Sequence, residues 1–190
     1  PGAGSGAAAD GASGTGRGRA VGRGVCGAGE LCGGVAAVLW DGTDGEVIEH
    51  GVCEAVAAEP GYTAGWIGCV DDEDFRITAS SDCSLPSSVS VSELAAPIQT
   101  ATETNEPRRC SGCADGELAP ETVAAECLLV IPLCYRDRRF GLLGVYADDA
   151  ALLDDREQPI LTSLAKMIAN GIHAVETTRV LTTDQVTELQ

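Results

Sequence analysis

A chain of 190 residues with 29 acidic against 12 basic side chains and a formal net charge of −17 is long enough for one domain of ordinary size. It is too acidic to hold DNA or an anionic membrane on its own surface. The longest apolar run, Cys127 to Tyr135, falls far short of the ~20 residues of a membrane helix, and no basic-then-apolar leader precedes a cleavage site, so the expected setting is soluble and cytoplasmic. The start at Pro1 and a single methionine, Met167, point to a fragment of a longer protein.

Residues 1–34 carry 13 of the 24 glycines and almost no large apolar side chains, which predicts a flexible linker. The arginines of Gly16-Arg17-Gly18-Arg19 and Gly22-Arg23-Gly24 are too few for a nucleic-acid footprint. The body, 35–178, opens with a helical pattern from Val35 to Val56, broken at the glycines of Gly42 to Gly45 into two helices or one kinked helix. Tyr62 to Val70, the acidic turn Asp71-Asp72-Glu73-Asp74, and Phe75 to Ala79 then read as a β-hairpin. Ser80 to Ser92 is a serine-rich connection, Ser92 to Ala96 a short helix, Ile98 to Thr102 a modest strand, and Thr104 to Pro120 a loop.

A second hairpin follows: Cys127 to Tyr135, the charged turn Arg136-Asp137-Arg138-Arg139, and Phe140 to Ala147. Neither of its strands alternates with polar residues, so both faces of the sheet must be covered there. The last helix starts at a carboxylate cap, Asp154 or Asp155, with Glu157 and Pro159 in its first turn. Its stripe is Leu161, Leu164, Ala165, Ile168, Ile172 and Val175, and a helix from Asp155 to Leu181 would be roughly 40 Å long at ~1.5 Å per residue. Residues 179–190 therefore read as a connector leaving the domain. The elements together predict an α+β fold: an antiparallel sheet, N- and C-terminal helices on one face, and loops over the other. A small-molecule pocket between sheet and loops is the default site, with Trp66, Cys69, Leu129, Ile131, Leu143 and Val145 as its candidate lining.

Little else carries chemistry. Cys110 and Cys113 have the spacing of a redox dithiol or half a zinc site, and Arg108 and Arg109 favour thiolate. With no second such pair and only two histidines, a complete metal site is not expected, which leaves a redox pair or a bystander loop. Cys53, Cys69, Cys127 and Cys134 read as small core hydrophobes, His50 and His173 as surface or partly buried residues, and Trp66 as a core anchor or a chromophore contact. No Ser-His-Asp set, phosphate loop or carboxylate pair predicts catalysis, and no cofactor is assigned.

Tyr62-Thr63-Ala64-Gly65-Trp66-Ile67-Gly68, Ile131-Pro132-Leu133-Cys134-Tyr135, Phe140-Gly141-Leu142-Leu143-Gly144-Val145-Tyr146-Ala147-Asp148 and Leu181-Thr182-Thr183-Asp184-Gln185-Val186-Thr187-Glu188-Leu189 occur in this order. Together they resemble the GAF sensor domain of the bacterio-opsin activator family of haloarchaeal transcription regulators, over roughly residues 35–190. The resemblance implies a non-catalytic sensory module answering an unknown small-molecule or redox signal, with DNA bound only by a helix-turn-helix region outside this chain. The Asn-Lys-Phe-Asp-Glu pattern of cyclic-nucleotide GAF domains and the Cys-His pair of bilin-attaching ones are absent. Since some GAF domains reduce free methionine sulfoxide with cysteines, a cysteine oxidoreductase is the enzymatic alternative, and a purely structural dimerisation module is the third. Val180, Leu181, Val186 and Leu189 resume the apolar pattern with altered phase and are expected to meet a second subunit in a parallel dimer, helped by the Val35 to Val56 region, the alternative being that they pack on a downstream domain of the same chain.

After Gly34 the chain holds nine basic against 27 acidic residues, and Lys166 is its one lysine, a composition like that of proteins in near-saturated salt, the alternative being an acidic domain encoded by a high-GC genome. Self-repulsion on this scale is screened when the Debye length falls to ~3 Å at about 1 M salt. The melting temperature should rise steeply with potassium chloride; a flat profile up to molar salt would contradict a saline adaptation.

Overall fold

The computed structural model describes residues 27–112, 118 and 125–187. Two helices, α1 (Gly27–Asp41) and α2 (Gly45–Ala58), precede the hairpin β1 (Tyr62–Asp71) and β2 (Asp74–Ser80). The short strand β3 (Ser88–Ser90), a 3-10 turn (Val91–Glu93), helix α3 (Ala96–Thr104) and strand β4 (Arg108–Ser111) form the crossover. The hairpin β5 (Cys127–Tyr135) and β6 (Arg138–Ala147), a second 3-10 turn (Ala150–Leu153) and the 31-residue helix α4 (Glu157–Thr187) complete the chain. All strand pairs are antiparallel, in the order β3-β2-β1-β6-β5-β4.

The helix starts follow from side-chain capping. Asp44 Oδ1 accepts from the Val47 N–H at 2.9 Å and begins α2, so the glycine-marked break separates two helices. Asp154 Oδ1 accepts from the N–H groups of Arg156 (2.8 Å) and Glu157 (3.1 Å) at the entry to α4, and these donors hold its carboxyl below the usual range. Helix α1 begins at Gly27 rather than Val35, because Leu31 and Val35 lie one turn apart and are both buried against the body.

The crossover differs from its sequence reading in three places. Ile98 to Thr102, expected as a strand, belongs to α3: Pro97 sits in its first turn, and Ile98 and Ala101, three apart, share its buried face. Its β-branched threonines are accommodated because the hydroxyls of Thr100, Thr102 and Thr104 donate to carbonyls four residues back. Within the expected loop from Thr104, Arg108–Ser111 pairs with β5 as an edge strand, and Arg109 Nη1 donates to the Leu153 carbonyl at 3.0 Å. Ser88–Ser90 likewise pairs with β2 inside the serine-rich connection, and the helical turn after it is Val91–Glu93.

The sheet carries a core on each face. Alternate residues of the central strands, among them Ile67, Leu129, Ile131, Leu143 and Val145, pack against α1, α2 and α4. Their neighbours Trp66, Leu128, Val130, Leu142 and Tyr146 face the opposite way, under α3 and the β3 region. The stripe of α4 is buried through Ile172; farther along, Val180 and Leu181 are 59% and 61% exposed. No helix among the described residues is long and apolar enough to cross a membrane.

The Trp66 indole packs directly against Gly144, where a Cβ would sit 2.1 Å from Trp66 Cε2. Because Trp66 is fully buried and has nowhere to retreat, Gly144→Ala should lower stability by about 1–3 kcal/mol in chemical denaturation. An unchanged midpoint would contradict this packing.

Candidate functional site

The sheet face away from α4 is built for enclosure. Strand β1 contributes Ala64 and Trp66, β2 contributes Phe75, β5 Leu128 and Val130, and β6 Leu142 and Tyr146. Val89, Leu94, Ile98, Ala101 and Leu118 close over them. Trp66 and Phe75 meet edge to face, with ring centroids 5.6 Å apart at 82°. Two polar atoms lie within this apolar space. The Tyr146 hydroxyl donates to the Leu118 carbonyl, and its phenol is pushed up to about 12, chiefly by burial, with the neighbouring Trp66 N–H opposing. Among the described residues, the buried Trp66 Nε1 finds no acceptor at hydrogen-bonding geometry. A buried N–H of this kind is costly unless something supplies the missing acceptor.

At the rim of this cover, a cleft of about 570 Å³ lies between the β1–β2 turn and α3, lined by Asp72, Glu73, Ser90, Ser92, Gln99 and Glu103 among others. Gln99 Nε2 donates to the carbonyls of Val91 (3.1 Å) and Ser92 (3.4 Å) and ties α3 to the 3-10 turn beside it. A second groove, of about 650 Å³, runs between the α1–α2 turn and α4 at Gly42, Asp44, Val175 and Thr178.

The six pocket candidates read from the sequence do not come together. Leu129, Ile131, Leu143 and Val145 are fully buried beneath the helices, Trp66 lies on the opposite face, and the partly exposed Cys69 borders a small void of about 130 Å³ near Arg139. The residues that enclose Trp66, notably Phe75 and Tyr146, were missed. Strand parity held the signal, since Tyr146 sits two residues from Gly144, the partner of Trp66 across the β1–β6 ladder.

Of the redox candidates, Cys110 on β4 is disulfide-bonded, and Cys113 lies outside the described residues. Cys83 is free and exposed. Cys53 is free and buried, and its thiol is pushed up to about 12 by burial first and then by Glu49, which makes it unreactive. Among the described residues no group of three or more His, Cys, Asp or Glu side chains is placed to hold a metal ion.

The sequence profile of the GAF domain matches residues 45–174. The chain is 29% identical over 160 residues, 80% of its length, to the bacterioopsin transcriptional activator of Halobacterium salinarum, and it spans 23% of that protein. Its fold is similar to that of the free methionine-R-sulfoxide reductase of Neisseria meningitidis, solved with its substrate (TM-score 0.67, 14% identity, 80% of this chain and 91% of that one). It is also similar to the GAF domain of the Acinetobacter phosphoenolpyruvate-protein phosphotransferase (TM-score 0.62, 14% identity, 80% and 96%).

If Cys110 and Cys113 are the reactive pair, mild oxidation of the reduced chain should protect them from alkylation before Cys83, despite the exposure of Cys83. Equal labelling of all three would remove the redox role.

Proposed function

The chain belongs to the GAF domain family, and from that membership we propose that it is the sensory module of a cytoplasmic transcription regulator. Its input is a small molecule received on the Trp66 face. Its output travels along α4, through residues 179–190, to a downstream region with a helix-turn-helix. The observation that carries this reading is the buried Trp66 N–H, without an acceptor among the described residues, in the apolar core under α3, while α4 runs from the other face of the same sheet past the domain's core. An occupant with a hydrogen-bond acceptor satisfies that donor and takes the place of Leu118, releasing the Tyr146 hydroxyl. The likeness to a transcriptional activator supports the regulatory setting. The exposed Trp40 (91%), Val47, Val180 and Leu181 support pairing with a second copy around the α4 exit.

Mass spectrometry of small molecules released from protein purified from its native host tests the proposal. A retained molecule is expected, and Trp66→Phe should cut its affinity about tenfold, the worth of one hydrogen bond at about 1.4 kcal/mol. No retained molecule, or equal retention by the variant, would contradict it.

One observation favours a second reading, the disulfide at Cys110 in a fold shared with methionine sulfoxide reductases. In that chemistry two thiols and methionine sulfoxide give methionine, a disulfide and water. The sensor reading predicts no turnover of free methionine sulfoxide by the purified domain with a thiol reductant, and turnover lost on Cys110→Ser would establish the enzyme instead.

A further inference from the structure

The tip of the β5–β6 hairpin grips two helices on opposite faces of the sheet. Regular alternation along β6 would turn Phe140 to the same face as Leu142 and Tyr146. The register shift beside Cys134 prevents this: Leu133 pairs with Gly141 and Cys134 with Arg139, leaving Phe140 as the extra residue of a bulge. Phe140 therefore packs on the helix face beside Tyr135, and Arg139 reaches the α3 side, as does its cross-strand partner Cys134. The bulge depends on Gly141, where φ is +157° and a Cβ would stand 2.5 Å from the Gly68 carbonyl oxygen.

On the helix face, the His173 ring of α4 lies 5.1 Å from the Tyr135 ring and 6.0 Å from the Phe140 ring. Arg138 stands 4.5 Å over Phe140 and pairs with Glu176 of α4 at 2.8 Å. On the other face, Arg139 Nη1 donates to the Thr102 carbonyl in the last turn of α3, where carbonyls lack intrahelical donors. Cys134 Sγ lies 3.1 Å from Oδ1 of Asn105, the left-handed residue that ends α3. The small void beside Arg139, Thr102 and Phe140 leaves the tip room to shift.

We propose that this hairpin tip is the mechanical coupler of the domain, carrying a displacement of α3 through Arg139 and Cys134 to Tyr135 and Phe140, and from them to His173 of α4. Helix α3 covers the Trp66 face, so its position is the first to change when that face is occupied. The end of α3 cannot move without pulling Arg139, and the rings packed on His173 pass the movement to α4 just before the helix outruns its core. The inference rests on the reading that α4 carries the output.

Amide hydrogen exchange by mass spectrometry on the whole 190-residue chain in molar potassium chloride tests the coupling without knowledge of the signal. Arg139→Gln, which touches only the α3 side, should speed exchange in α4 residues 173–179 by about fivefold or more, the usual size of an allosteric coupling. In a His173→Ala background the same substitution should add nothing there. Faster exchange confined to α3, or additive effects in the double variant, would overturn the coupler. If Arg139→Gln does not fold, Cys134→Ala makes the same comparison, with the same two outcomes. Retention of a small molecule from the native host reads the sensor proposal separately: its absence counts against the pocket, whereas an α4 deaf to α3 counts against the coupler.

Discussion

Burial of both faces of β1, β6 and β5 is the constraint on which everything else depends. A strand covered on one side can alternate apolar with polar residues; these cannot, and each supplies side chains to two cores that the backbone keeps apart. The two cores are unequal. Among the described residues the helix face is closed by three helices, including the buried stripe of a 31-residue one, whereas the Trp66 face is closed by a nine-residue helix, a three-residue strand and Leu118. With each large apolar side chain worth about 1.5–3 kcal/mol on burial, the helical layer is the scaffold and the cover is the part that exchanges at low cost. Trp66 Nε1, which has no acceptor among the described residues, and the Tyr146–Leu118 hydrogen bond lie on this exchangeable side.

Arginine does specific work in this acidic chain. The Arg138–Glu176 pair is substantially exposed and contributes little, less still in salt. Arg139 donating to a helix-terminal carbonyl, and the ring contacts of His173 with Tyr135 and Phe140, do not depend on long-range charge and persist where ion pairs are screened. Contacts of this kind suit a hinge that has to hold at any ionic strength.

Much of the fold was legible because long elements carry strong signals. Both hairpins, the Asp154 cap and the α4 stripe have nearly the bounds their residues suggest, since an apolar run flanked by a charged turn admits few alternatives. Short elements were not. Ile98-Gln99-Thr100-Ala101-Thr102 is rich in β-branched residues like a strand, and it is helical because Ile98 and Ala101, three apart, pack together over the sheet, with the threonine hydroxyls bonded back to carbonyls four residues earlier. The edge strands β3 and β4 are polar and brief because edges are kept so, which hides them among loops. The site suffered most. When a strand is apolar on both faces, periodicity says that both are buried and not which one lies under the helices, so Leu129, Ile131, Leu143 and Val145 were grouped with Trp66 from across the sheet. One register shift in each of the β1–β2, β1–β6 and β5–β6 ladders resets the parity further.

The inequality of the two cores is open to direct measurement by native-state hydrogen exchange in graded denaturant. The account predicts that amides of α3, β3 and β4 exchange through a sub-global opening at a free energy well below that of global unfolding. Those of β1, β5, β6 and the buried part of α4 should exchange only with the whole domain. Exchange of α3 at the global free energy, in one step with the central strands, would contradict a cover that opens on a fixed scaffold.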